Sequence, residues 1–166
     1  MKAKVSIKLG SDVSTDIIYP GKFMATVLPT ETPAFAFADD PEINKKLTGG
    51  KIPKGSFLVA ENNFGCGSSR EQAASTLKGH ELIIVAKHFS RIFMQNAINL
   101  GLQTIICPDI EAKEGDELEV TGNKLTNHTT GKTFKITPLP KERQAIIDAG
   151  GLINFTRKKL LEKTGR

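Results

Sequence analysis

The residues best placed to do chemistry crowd into Glu61–Ser75, "ENNFGCGSSREQAAS". Gly65 and Gly67 flank Cys66, two adjacent hydroxyls follow at Ser68 and Ser69, and Arg70 adds a fixed cation. Glycine opens backbone angles closed to other residues, and serine ahead of a helix is a natural cap, so Ser68 or Ser69 is expected to cap a helix beginning near Arg70. The free amides of a helix start favour an anion, and a guanidinium grips a carboxylate or phosphate through two hydrogen bonds. The stretch suits an acidic small molecule. An ordinary helix cap, with Arg70 solvated or paired to a neighbour such as Glu71, would use the same residues.

Other chemistries meet specific obstacles. A dinucleotide fingerprint would need glycine at position 70, where Arg70 stands, and no Gly-Lys-Ser/Thr phosphate loop is present. Gly67 directly precedes Ser68, which breaks the Gly-x-Ser-x-Gly nucleophile elbow. A serine hydrolase would need His80, His88 or His128 as its base, and nothing in the sequence marks any of them for that role. Cys66 and Cys107 are too far apart in sequence for a zinc or redox pair and read as cytoplasmic thiols, the chain having no signal-like apolar start.

The net charge of +5 raises the question of nucleic acid, but the 23 Lys and Arg are scattered, and one Tyr with no Trp gives bases little to stack on. A basic surface with some preference for anionic ligands is expected instead. Apolar runs reach about five residues against the roughly twenty that span a bilayer, which argues against a membrane role. A chain of 166 residues is long enough for one domain with a real core.

The elements that would position this stretch follow from periodicity. Val5, Ile7 and Leu9 alternate with polar residues, as in a half-buried strand, and Asp12 to Gly50 reads as loop with short helical pieces around Ala34–Ala38 and Pro41–Leu47. Phe57–Ala60, Leu82–Ala86 and Thr104–Cys107 read as buried strands. Between them, Arg70–Lys78 and Phe89–Leu100 carry helical spacing, giving a parallel βαβαβ core. Leu118, Val120, Leu125, Phe134 and Ile136, around a Thr130-Gly131 turn, suggest an antiparallel hairpin. Pro140 opens a helix that Gly150-Gly151 stops, and a basic helix follows from about Asn154. The class is α/β, and ligands in such sheets gather at the carboxyl ends of the parallel strands, where Asn62–Ser69 lies.

"GCGSSRE" resembles the Gly-x-Gly-Ser-Ser-Arg-Glu motif of the swivelling domain of the aconitase superfamily. "DVSTDIIYPG" (Asp12–Gly21) is similar to the family's Thr-Asp-x-Ile motif, and "AKHFSRIFMQNAINLGL" (Ala86–Leu102) to its Ser/His-Phe-x-Arg-Ile-x-x-x-Asn segment. "DAGGLINF" (Asp148–Phe155) resembles the small subunits of isopropylmalate dehydratases. The matches run in order over nearly the whole chain. They imply an aconitase-like swivelling β/β/α domain over residues 1–166 and a hydro-lyase acting on hydroxy di- or tricarboxylic acids, in leucine biosynthesis for the isopropylmalate type.

The resemblance also implies roles. Ser68 corresponds to the serine whose deprotonated oxygen removes a proton from carbon, Arg70 to the arginine that binds a substrate carboxylate, and Asp16 to an aspartate of the same site. Gly67 lets substrate approach the backbone, and Ser69 can donate beside the base. The family works on a [4Fe–4S] cluster in which one iron is a Lewis acid, and holding it takes about three cysteines. With two cysteines here, the cluster is expected on a separate large subunit, leaving this chain inactive alone, free of bound metal, and able to self-associate when isolated.

Substrate choice in the family is associated with the loop that here reads Lys22-Phe-Met-Ala-Thr26. Phe23, Met24, Ala25 and Thr26 suit a branched alkyl group, as in isopropylmalate, because homoaconitate-type subunits carry an arginine about where Ala25 stands. The usual Tyr-Leu-Val/Arg is replaced by Phe-Met-Ala, which keeps a related alkylmalate such as 2,3-dimethylmalate open, and Phe23 and Met24 would serve equally as core residues near a turn. A different class, a free-standing anion-binding module without catalysis, also lacks cluster cysteines, but it has no need of Ser68.

Overall fold

The computed structural model of the chain describes residues 1–164. Its strands are β1 (Lys2–Lys8), β2 (Phe57–Ala60), β3 (Ile83–Ala86), β4 (Thr104–Ile106), β5 (Glu117–Thr121), β6 (Lys124–Asn127) and β7 (Lys132–Lys135). They form one sheet in the order β4-β3-β2-β1-β5-β6-β7. The first four are mutually parallel, and β5, β6 and β7 continue from β1 as an antiparallel meander.

The helices are α1 (Thr15–Ile18), α2 (Pro41–Thr48), α3 (Glu71–Gly79), α4 (Arg91–Leu100), α5 (Lys141–Asp148) and α6 (Leu152–Thr164). Strands β1 to β4 step across the sheet in one direction, so crossovers of one hand place their helices on one face. That face buries Leu58, Ala60, Ile84 and Ala86 with Ala73, Ala74, Leu77, Phe93, Ala97 and Ile98 from α3 and α4. The opposite face has a separate core: Phe57, Val59, Ile83, Val85 and Ile105 meet Leu118, Leu125 and Ile136. With no helix there among the described residues, the sheet covers itself. It curls until the Thr137 N–H, just past β7, donates to the Ile106 carbonyl of β4 at 2.8 Å. The result is the β/β/α layering that the resemblance implied.

Three expectations need correction. The alternation in β1 does not mark a single buried face: Val5 pairs with Phe57 and Ile7 with Leu58, a register shift at Ser6 that sends Val5 into the second core and Ile7 into the first. The antiparallel part is two hairpins, because Gly122-Asn123 makes a tight turn between β5 and β6 besides the one at Thr130-Gly131. The expected helical piece at Ala34–Ala38 is a 3₁₀ turn at Thr32–Phe35, started by Pro33 within its first two positions. The other elements of the parallel core fall within a residue or two of their expected bounds.

The ends of the parallel strands are tied where the motifs sit. Lys8 at the end of β1 and Lys87 after β3 both pair with Glu61, which follows β2. Burial alone would raise the Glu61 carboxyl, but the hydrogen bonds and charges of the two lysines outweigh it and hold the group below its ordinary value. Among the described residues no helix is long and apolar enough to cross a membrane.

Candidate functional site

Two loops leave the carboxyl ends of β1 and β2 side by side and are stitched by backbone. Gly65 N–H donates to the Val13 carbonyl at 2.7 Å, and Thr15 N–H to the Cys66 carbonyl at 2.8 Å. The second loop is pinned from below by Phe64, which is fully buried and meets Phe93 and Phe89 edge to face at 5.1 and 5.8 Å between ring centroids. Burying a ring of that size contributes about 1.5–3 kcal/mol, enough to hold a short loop in one conformation. Phe64 N–H reaches the His88 carbonyl at 3.0 Å, and the Ser90 hydroxyl reaches the Gly65 carbonyl at 2.5 Å, so the β3–α4 connection joins the assembly.

Gly65 is required by space as well as by angle. At φ 78° a side chain would begin 2.2 Å from the Phe93 ring. Gly67 has φ 90°, and there the conformation is the constraint, since the nearest atom to an added Cβ is 3.5 Å away, in Thr15. After these two turns Ser68 and Ser69 emerge exposed.

The structure corrects the expected cap. The N-cap of α3 is Arg70, in an extended conformation and without a side-chain cap bond; neither Ser68 nor Ser69 takes that place. The reason is the tether on their backbone: the buried Thr15 hydroxyl donates to the Ser68 carbonyl at 3.0 Å, and the Asn96 amide of α4 donates to the Ser69 carbonyl at 3.3 Å. The first-turn amides of α3 are thus left uncapped by any side chain from its N-cap, with partial positive charge beside Arg70. The Ser68 hydroxyl lies 3.3 Å from that of Thr15.

Arg70 is mostly buried, and its Nη1 donates to the Tyr19 carbonyl at 3.1 Å and pairs with Asp16. The expected alternative partner, Glu71, is not used. Gly21 passes so close that an added Cβ would lie 3.3 Å from the guanidinium. The Asp16 side chain is 57% exposed, and pairs that open to water contribute about 0–1 kcal/mol, so an incoming carboxylate can exchange with it at small cost. Ser68, Arg70 and Asp16 therefore share one open face, drawn from segments about fifty residues apart.

The Lys22–Thr26 loop borders this face. Tyr19 holds it: its hydroxyl reaches the Phe23 and Thr26 carbonyls at 3.2 and 3.3 Å. Phe23 turns inward and stacks on Phe35 at 4.4 Å, whereas Met24 and Ala25 are exposed. Lys22, the loop's one cation, is engaged by Asp39 at 2.6 Å.

Other candidates lie elsewhere. His80 bonds to the Pro33 carbonyl at 2.9 Å beyond the far end of α3, with burial holding its pKa down, and His128 pairs with Glu119 in the meander. Cys66 is half-buried in the site loop, while Cys107 is buried in the second core, where burial and then Asp109 push its thiol up to about 11. Two thiols so divided do not fit a cluster, and among the described residues no three His, Cys, Asp or Glu side chains gather to hold a metal. Sequence reasoning missed Thr15, Tyr19 and Asn96. Thr15 and Tyr19 flank Asp16 in the matched "STDIIY" stretch, and Asn96 is the asparagine of the matched α4 segment, but only folding shows what they touch.

Relatives of known name and a solved structure point to one family. The family model described as the aconitase C-terminal domain matches residues 38–109. The chain is 40% identical over 161 residues to the 3-isopropylmalate dehydratase small subunit of Methanosarcina mazei, covering 94% of this chain and 96% of that one. It is 43% identical over 162 residues to the isopropylmalate/citramalate isomerase small subunit of Methanocaldococcus jannaschii, covering 93% of each. The crystal structure of a 3-isopropylmalate dehydratase from Methanocaldococcus jannaschii superposes with a TM-score of 0.88 at 37% identity, over 99% of this chain and 97% of that one. Likeness of this extent in both sequence and fold is decisive: the chain belongs to the family of 3-isopropylmalate dehydratase small subunits, within the aconitase superfamily.

Proposed function

We propose that this chain is the small subunit of a hydro-lyase that interconverts 2- and 3-isopropylmalate by dehydration and rehydration, as a step of leucine biosynthesis. The observation that carries the reading is the convergence of Ser68, Arg70 and Asp16 on one exposed face beside an uncapped helix start. In this reading a larger partner holds a [4Fe–4S] cluster, which when bound supplies a Lewis acid to the substrate hydroxyl and carboxylate.

This chain's own residues do the rest. Arg70 exchanges Asp16 for a substrate carboxylate and keeps its bond to the Tyr19 carbonyl, which fixes the guanidinium plane. Ser68 removes the proton from carbon as an alkoxide. An ordinary serine is far too weak an acid for that, so the neighbouring cation, the α3 amides and exclusion of water by the partner must stabilise the negative oxygen. The Thr15 hydroxyl sets the Ser68 backbone and lies within reach of its side chain. Ser69 adds donors beside the base, and Gly67 leaves the backbone open to substrate. Met24 and Ala25 present an apolar wall to the alkyl group, and a carboxylate in its place would find no cation within Phe23–Thr26.

A second substrate has a specific observation behind it: one relative is named an isopropylmalate/citramalate isomerase small subunit, so a smaller alkyl group is compatible with this framework. The test is anaerobic reconstitution with the cluster-loaded large subunit from the same cell, followed by kcat/KM on isopropylmalate, citramalate and homoaconitate. The proposal expects isopropylmalate to rank first. A higher constant for homoaconitate would overturn the substrate assignment, and isolation of the chain from its native cell as a lone homo-oligomer would favour a binding module instead.

A further inference from the structure

The four arginines among the described residues divide three ways: Arg70 serves the candidate site, Arg157 lies on α6, and Arg91 and Arg143 meet over a separate pocket. That pocket, of about 510 Å³, lies past the carboxyl ends of β3 and β4. His88 lines it from the end of β3, Arg91, Gln95 and Asn96 from α4, and Arg143 from the first turn of α5. Phe89 and Met94, both buried, and Ile106 add an apolar lining. No carboxylate borders it, and neither Arg91 nor Arg143 takes part in the ion pairs among the described residues. Ser68, Arg70 and Asp16 all lie outside it.

Such a grouping is unfavourable without an occupant. Arg91 is the first residue of α4, whose first turn carries no acid, so its guanidinium stands at the positive end of the helix, where a cation is disfavoured. Arg143 adds a second fixed charge, and like charges around one cavity repel unless an anion lies between them. The planar fork of a guanidinium matches carboxylate or phosphate oxygens, and two forks suit a doubly charged head group. The volume falls within the roughly 300–1,000 Å³ of small-molecule sites, and the apolar lining leaves room for a body behind that head. We infer that this pocket binds an organic dianion, a dicarboxylate or a phosphomonoester with an apolar body, at a site distinct from that of Ser68 and Arg70. Asn96 joins the two, lining the pocket while its amide holds the Ser69 carbonyl. The inference stands apart from the proposed reaction, since none of Ser68, Arg70 and Asp16 is needed for it. The cleft beneath the meander is less suited to an anion, because Glu61, Glu111 and Asp116 share it with its lysines.

The test is an NMR titration of the full chain with phenyl phosphate and with phenylsuccinate, inorganic phosphate serving as a head group without a body. The wild-type chain is expected to bind at least one of the two organic dianions fivefold or more tightly than inorganic phosphate, and the preferred one names the head group. The double variant Arg91→Gln/Arg143→Gln changes two exposed positions, and circular dichroism verifies its fold. It is expected to weaken that binding at least tenfold. Arg70→Gln and Arg157→Gln, which remove charge elsewhere, are expected to change it less than threefold. An equal loss in Arg157→Gln would show bulk attraction to a basic protein, and a loss confined to Arg70→Gln would make the candidate site the sole anion site; either result overturns the inference. A wild-type chain that binds neither organic dianion at about 10 mM overturns it as well. If the double variant then also weakens binding of the cluster-loaded large subunit, the pocket receives an acidic segment of that partner instead.

Discussion

Ser68 and Thr15 form the smallest unit that has to be right. One buried hydroxyl serves both the Ser68 carbonyl and the Ser68 side chain, so Thr15 is a positioning residue. A hydrogen bond of this kind contributes about 0.5–1.5 kcal/mol, which converts to roughly two- to tenfold in rate. Thr15→Val is therefore expected to lower kcat of the reconstituted enzyme by that factor with little change in KM, and Thr15→Ser to restore it; steady-state kinetics on the three proteins decides the matter. Gly65 tests the support beneath. Gly65→Ala must displace Phe93 and hold alanine at a left-handed angle, together costing about 2–5 kcal/mol, to be read as a lowered urea midpoint.

Elements bring these residues together, and the parallel strand ends do most of it. Glu61, clamped between Lys8 and Lys87, ties β1, β2 and β3 at the edge that carries both site loops. Its folded pKa lies below the ordinary 4.5, so it contributes stability above that value and the contribution is lost as pH falls through the folded value. Urea midpoints should drop as pH is lowered below 4.5, and Glu61→Gln should flatten the slope. The loop beside Arg70 carries the specificity prediction: Ala25→Arg places a cation on an exposed position and should raise kcat/KM for a tricarboxylate relative to isopropylmalate, as measured on the reconstituted enzyme.

Much of this level was legible from sequence. The apolar runs at Phe57–Ala60 and Leu82–Ala86 and the helical spacing after each define the parallel core. The β1 bulge was not, because an inserted residue leaves the alternation of Val5 and Ile7 intact while turning one of them over. The cap of α3 was not either: Ser68 has the right chemistry for an N-cap, and only the bonds from Thr15 and Asn96 to the serine carbonyls show why Arg70 takes that position. Motif likeness pointed to Ser68, Arg70 and Asp16, but the Asp16–Arg70 pair and its Tyr19 anchor depend on contacts across fifty residues, which no local pattern encodes.

At the scale of the whole molecule, the fold gathers Ser68, Arg70 and Asp16, the proposed base, carboxylate-binding cation and exchangeable acid, on an open face, and divides its two thiols between that face and the opposite core. In the proposed function such a face supplies half of a reaction. The most direct measurement is turnover of isopropylmalate by Ser68→Ala in the complex reconstituted with its cluster-bearing large subunit, with assembly followed in parallel by size-exclusion chromatography. The account predicts a complex that forms as in the wild type and turns over at least about a hundredfold more slowly, the usual minimum for loss of a general base. A Ser68→Ala complex with wild-type turnover would contradict it.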